Sequence, residues 1–261
     1  DFYGIVASNE FEEAWLDEGF TSYIESKVME KEYGASPNLP LESVYMTSPA
    51  PLKQFSWHYN NASEYADNVY TRSKLVLYAM EKQLGDALMK KVMKTYFQKW
   101  QFKHPRSEDF QQVVESVTGE SWEEFFNTFV YGSDMVDYAI DNIRVRERKQ
   151  TNNTSSYDNE VVIRKLGAAH HAVPIVFHFS DGSEITKEWD SEQSNDPDVI
   201  RYTLKHTAPL LWAAIDPQHT IVLENKRMNN FLYATTDTKS NVRWSLSIAK
   251  FIETMTSLVA W

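Results

Sequence analysis

The sequence predicts an α+β multidomain chain: an N-terminal helical lobe, an antiparallel β-sandwich and a C-terminal helix. Three observations carry this. Up to about Tyr131 the apolar residues recur at spacings of three and four, the period of a helix face. After Gly132–Asp137 they fall in short alternating runs separated by turn residues, the period of half-buried strands. The last twenty or so residues return to the helical period. The expected boundaries are 1–135 for the lobe, 136–235 for the sandwich and 236–261 for the terminal helix.

The first helix is expected over Asn9 to Glu30 (NEFEEAWLDEGFTSYIESKVME). Asn9 can cap it, with Glu12 reaching back in a capping box. Phe11, Trp15, Leu16, Phe20, Tyr23, Ile24 and Val28 make one broad apolar face. Glu18 and Gly19 break the pattern. A glycine in mid-helix costs about 1 kcal/mol against alanine, and its use is close approach by another backbone or a ligand. Gly34 to Pro51 carries Pro37, Pro40, Pro49 and Pro51, which marks a long connection with a short helix at 41–46. Residues 52–60 are rich in aromatics and read either as cleft lining or as core. His58 there reads as a satisfied or exposed histidine.

Four further helices follow. One runs from Ser63 to Gln83, with Val69, Leu75, Val76, Leu77 and Met80 in its apolar set. One runs from Asp86 to Trp100. One runs from Ser107, as cap, to Thr118, stopped by Gly119. One runs from Ser121 to Tyr131, with Glu124 completing a second capping box. Strands are expected at 138–147, 160–166, 173–179, 183–189, 199–205, 211–215 and 220–223. Asp181-Gly182 forms a hairpin turn, and 151–159 is a polar loop. Seven short antiparallel strands point to a sandwich. His170, His171 and His178 lack an acidic or thiolate partner at ligand spacing and read as structural. The terminal helix places Trp244, Ile248, Ile252, Met255 and Val259 on one stripe.

The 261 residues carry 26 Lys plus Arg and 37 Asp plus Glu, a formal charge of −11, which argues against nucleic-acid binding. There is no cysteine, so disulfides and thiolate metal sites are excluded. No run of 18 apolar residues suggests a membrane span. Asn61-Ala62-Ser63 and Asn152-Asn153-Thr154 match the glycosylation pattern, which is common by chance.

By spacing alone, Glu18 reads as a solvated helix carboxylate and Tyr70 as a half-buried helix aromatic. Their wording adds a second reading. Trp15-Leu16-Asp17-Glu18-Gly19-Phe20-Thr21-Ser22-Tyr23 resembles the W-L-N/D-E-G-F-A-x-Y segment of the M1 family of zinc aminopeptidases, in the gluzincin group. Tyr70-Thr71-Arg72-Ser73 resembles that family's Y-x-K-G, with Arg72 for Lys and Ser73 for Gly. Ile215-Asp216-Pro217 and Glu224 to Asn230 resemble the end of its β-domain.

The resemblance implies that the lobe is part of a thermolysin-like catalytic domain. It makes Glu18 a zinc ligand and Tyr70 a hydrogen-bond donor to the oxyanion. The family's other ligands are the histidines of H-E-x-x-H, whose first glutamate is the general base. No such motif occurs here, and the second histidine would lie two residues before Asp1. The chain is therefore expected to be a fragment cut just after that motif. It would depend on the missing N-terminal part of its parent and on zinc to cleave N-terminal residues from peptide substrates, and would be inactive alone. A non-catalytic peptidase-like module that recruits peptides or mediates assembly is the alternative.

Overall fold

The computed structural model of the chain describes residues 5–6, 9–149, 155–168, 172–190, 196–234 and 250. The long first helix is divided at Ala14 into α1 (Glu10–Glu13) and α2 (Trp15–Tyr33). Asn9 caps it as expected, its Oδ1 accepting from the Phe11 N–H at 3.1 Å. Glu12 contributes through its backbone instead of a capping box, its N–H donating to the Asn9 carbonyl at 2.9 Å. The apolar face is shorter than the period suggests. Trp15, Leu16, Phe20 and Tyr23 are buried, whereas Phe11 and Val28, at either end, are exposed. Periodicity sets which way a side chain points, not how far along the helix a neighbour extends.

The short helix α3 (Leu39–Val44) begins two residues earlier than expected. Asn38 caps it, accepting from Leu41 N–H at 3.1 Å, and Pro40 sits in its first turn, where a missing N–H costs nothing. The next helix has three parts. α4 (Ala62–Ala66) is capped by Asn61, which accepts from Glu64 N–H at 2.9 Å. Residues Asp67–Arg72 form a widened turn in which the Ser73 N–H reaches back five residues to the Asn68 carbonyl, and α5 (Ser73–Leu84) follows.

α6 (Asp86–Trp100) and α7 (Ser107–Thr118) have the expected limits. Ser107 is not the cap, however. That residue is Arg106, and the Ser107 hydroxyl turns inward to the Glu13 carboxylate. The last helix begins at Glu123 (α8, Glu123–Phe126) and passes into a second widened turn, Asn127–Tyr131. Ser121 accepts from Glu123 N–H at 3.3 Å, a local turn in place of the expected box with Glu124. At the centre of the helical layer Phe20 packs on Phe110 at 4.8 Å, Tyr96 at 5.3 Å and Trp15 at 5.6 Å.

The strands form two antiparallel sheets. One has the order β1 (Tyr138–Lys149), β2 (Ser155–Lys165), β5 (Val199–His206). The other has the order β4 (Glu184–Trp189), β3 (Val173–Phe179), β6 (Leu210–Ile215), β7 (Phe231–Tyr233). The β3–β4 hairpin turns at Asp181-Gly182, where Gly182 takes φ +84° and Phe179 N–H meets the Ser183 carbonyl at 3.0 Å. Val173, Ile175, Phe177 and Phe179 are buried at every second position along β3. Tyr138 and Trp189 join the two inner faces at 5.4 Å, and Leu210 N–H reaches Asn159 Oδ1 at 2.8 Å across them.

Two expectations are corrected. Residues 155–159 are paired strand rather than loop, because β2 registers against β1 from Ser155 onward. Residues 220–223 are not a strand: the Asp216 carboxylate draws in the N–H groups of Thr220 and Ile221, both at 2.9 Å, and the seventh strand is Phe231–Tyr233. His178 is structural, stacked on Trp212 at 4.6 Å and bonded to Glu184 at 2.9 Å. His170, His171, Asn152 and, apart from Lys250, the expected helix over 236–261 lie outside the described residues.

Candidate metal and catalytic site

Glu18 lies in the first turn of α2, on the edge between buried and open faces. Asp17 before it is 2% exposed, whereas Glu18 is only partly buried. One residue is about 100° around a helix, so neighbours in sequence look in different directions. Trp15 anchors this turn. Its indole N–H donates to Ser107 Oγ at 3.0 Å, and Ser107 N–H donates to Glu13 Oε2 at 2.7 Å. Burial pushes the Glu13 carboxyl above the ordinary carboxylate value, against the lowering effect of the Ser107 bonds.

Gly19 explains how the second segment is brought in. A Cβ placed there would lie 2.3 Å from Ser73 Cβ and 3.1 Å from Ser73 Oγ. Such a contact is far inside van der Waals distance, so the absence of a side chain is what lets the two helices meet here. The approach carries the Asp67–Arg72 turn, and with it Tyr70, to Glu18. The Tyr70 phenol faces the Glu18 carboxylate closely enough for that carboxylate to raise its pKa. Partial burial, then the neighbouring Glu18 carboxylate, push its pKa up to about 12, so it stays a neutral donor at ordinary pH. The phenol remains reachable, with Tyr70 37% exposed.

The widened turn is fixed from behind. Asn68 is fully buried, taking Ala50 N–H at 2.8 Å and donating to the carbonyls of Ser48 at 3.0 Å and Glu64 at 2.9 Å. Arg72 is also fully buried and donates to the carbonyls of Ala50 at 3.1 Å, Asp134 at 3.2 Å and Gly132 at 3.4 Å. Burial lowers its pKa to about 10, which leaves it charged. The proline-rich connection and the end of the helical layer are thus both clamped to the turn that presents Tyr70.

A model of the peptidase family M1 domain matches residues 2–129. Residues 2–129 are thus similar to the peptidase family M1 domain. No curated protein sequence matches the chain. Among solved structures, the aminopeptidase A of Legionella pneumophila, crystallised with aspartic acid, is similar to 81% of this chain at 16% identity and a TM-score of 0.51. An M1 zinc metallopeptidase of Deinococcus radiodurans is similar over 51% of this chain and 31% of its own, at 19% identity and a TM-score of 0.41. The first likeness shows the fold. This chain spans only 24% of that relative's length.

The segment matched by that family model brings Glu18 and Tyr70 together. Among the described residues no three His, Cys, Asp or Glu side chains gather as a metal-binding group. The donors present, one accessible carboxylate with a neutral phenol beside it, fit one corner of a zinc site and not the whole, which needs three protein ligands. Sequence reasoning missed Tyr65, which meets Tyr70 edge-on at 6.4 Å and whose phenol is raised by burial and by Glu18. On an α-helix five residues are about 140° apart; only the widened turn brings both tyrosines to one side. The exposed, stacked pair Phe55 and Trp57, 4.7 Å apart, lies close by, because Ser56 Oγ bonds the Glu10 carbonyl.

Proposed function

We propose that the chain is part of a zinc aminopeptidase, in which Glu18 is one oxygen ligand of the catalytic zinc and Tyr70 stabilises the oxyanion formed at the scissile carbonyl. The observation that carries this reading is the juxtaposition of the Glu18 carboxylate and the Tyr70 phenol, made possible by the Gly19–Ser73 approach, within a segment that matches the peptidase family M1 domain. Zinc in such a site supplies Lewis acidity toward a carbonyl and makes water more acidic.

The other roles fall to the chain's own residues. Glu18 presents a carboxylate at an accessible helix edge. Tyr70 donates a hydrogen bond without carrying charge, which suits a position where negative charge develops. Asn68 and Arg72 hold that phenol in place. The remaining zinc ligands and the general base come from residues outside this sequence, so the 261 residues alone do not turn over peptide. The same reading divides the chain into a peptidase lobe over 1–135 and a β-sandwich over 136–235, with 236–261 as a C-terminal segment. The partner of the lobe is a peptide with a free amino terminus. No helix among the described residues is long and apolar enough to cross a membrane.

The test uses the intact protein that contains this sequence. Tyr70→Phe should lower kcat by roughly 100- to 1,000-fold, the cost of one oxyanion donor, with zinc content unchanged. Glu18→Gln should lower zinc stoichiometry by metal analysis and remove activity. Full activity in Tyr70→Phe, or full zinc content in Glu18→Gln, would overturn the assignment. The alternative, a non-catalytic peptidase-like module, draws on the absence of a complete ligand group among the described residues. It predicts an intact protein with no zinc at this position and peptide binding indifferent to Glu18→Gln.

A further inference from the structure

A row of rings leads away from Tyr70. Tyr65 meets Tyr70 edge-on at 6.4 Å, and Tyr59 meets Tyr65 edge-on at 5.5 Å. Tyr59 is the buried anchor of the row, its phenol donating to the Pro51 carbonyl at 3.2 Å. The short turn Ser56–His58 runs directly into it, with Phe55 at its start. The Phe55 and Trp57 rings lie parallel, 4.7 Å apart with 6° between their planes. Both face solvent, Phe55 at 40% exposure and Trp57 at 63%.

The pair is held in place. His58 stands edge-on to both rings, 5.3 Å from Phe55 and 6.1 Å from Trp57, and its N–H donates to the Phe55 carbonyl at 2.9 Å. Between the two in sequence, the Ser56 hydroxyl donates to the Glu10 carbonyl of α1. The turn is therefore tied to the helical stretch that leads into Glu18 and, through Tyr59 and Tyr65, to Tyr70. Single exposed apolar side chains are ordinary surface. Two large rings fixed parallel beside a candidate site are a preformed surface, so a partner that stacks on them does not have to order them first.

We propose, resting on the aminopeptidase reading above, that Phe55 and Trp57 form a platform for an aromatic side chain of the peptide substrate on the carboxyl side of the scissile bond. The position follows from reach. An extended peptide advances about 3.3 Å per residue, and the pair lies beyond Tyr65, which is itself 6.4 Å from Tyr70. The platform therefore serves a residue two or more places from the carbonyl at Tyr70. Cleavage after the first residue leaves only one residue on the amino side, so that place is on the carboxyl side. The chemistry follows from the rings. Aromatic pairs, offset or edge-on, attract beyond the area they bury, and an aliphatic side chain of the same size gains the area alone.

The test uses the intact protein that contains this sequence. The probes are alanine peptides that carry, at the third or fourth position, either phenylalanine or cyclohexylalanine, which is of similar size but has no π-system. Wild type should favour phenylalanine in kcat/KM by roughly 3- to 10-fold, mainly through KM. Calorimetric binding of the same peptides to the metal-stripped protein should show the same preference. Trp57→Leu, at an exposed position, should abolish it, and Phe55→Leu serves if the first variant does not fold. A wild-type protein that binds both peptides equally, or a preference kept in both variants, would overturn the platform and leave the pair as a surface covered by another part of the protein. A binding preference that the variants lose, in a protein that turns over none of the peptides, would uphold the platform and overturn the aminopeptidase reading instead.

Discussion

The Gly19–Ser73 approach can be tested by a double-mutant cycle. Gly19→Ala adds one methyl group at 2.3 Å from Ser73 Cβ, between two buried helix segments that have no flexible side-chain end to give way. Overpacking of this kind costs about 1–3 kcal/mol. Against it stands the helical preference for alanine over glycine, about 1 kcal/mol in the opposite direction. The net for Gly19→Ala is therefore a loss of about 0–2 kcal/mol. In a Ser73→Gly background the opposing Cβ and Oγ are gone, and the nearest remaining atom is the Val69 carbonyl oxygen at 3.4 Å, an ordinary contact. There the same substitution should stabilise by about 1 kcal/mol.

Ser73→Gly alone destabilises, because it adds a helix glycine and removes the buried bond from Ser73 Oγ to the Asn68 carbonyl at 2.9 Å. The cycle should therefore show a coupling of about 1–3 kcal/mol. Urea denaturation followed by circular dichroism measures all four corners. Additivity within about 0.5 kcal/mol would refute the argument that this glycine exists for the contact.

Three further outcomes are expected. Arg72→Lys should destabilise by about 1–3 kcal/mol in urea, since an ammonium cannot copy the planar fork that serves three separate carbonyls; a change below about 0.5 kcal/mol would contradict the clamp. Trp15→Phe should cost about 1–3 kcal/mol by removing the donor to Ser107 and leaving a void beside Phe110; an unchanged urea midpoint would show that the indole is not the anchor described. Glu13 has its folded pKa raised by burial, so its contribution to stability declines as pH rises above the ordinary 4.5 and stops changing once the buried carboxyl ionises. Denaturation midpoints of Glu13→Gln across this range should depend less on pH than those of wild type, and an identical pH profile would count against the assignment.

Much of this architecture was legible because it depends on local rules. The alternation in 173–179 and the Asp181-Gly182 turn specify β3 and its hairpin within a dozen residues. The limits of α6 and α7 follow from the apolar period together with Gly85 and Gly119 at their ends. The misreadings share a cause in long-range contact. Residues 220–223 have strand-like composition, but the buried Asp216 carboxylate claims the N–H groups of Thr220 and Ile221. Residues 155–159 look like polar loop, yet β1 on one side and β5 on the other supply their pairing.

At the site, the sequence by itself determined the residue types: a carboxylate at Glu18, a glycine beside it, and a tyrosine at the start of Tyr70-Thr71-Arg72-Ser73, in wording that resembles family M1. Only the tertiary structure decided that Gly19 and Ser73 touch, that Arg72 serves three carbonyls rather than presenting its charge to the site, and that Tyr65 stands beside Tyr70. The physical reason is that these facts depend on the distance between helices far apart in sequence and on a turn of five-residue hydrogen bonds. A 3.6-residue period carries no information about either.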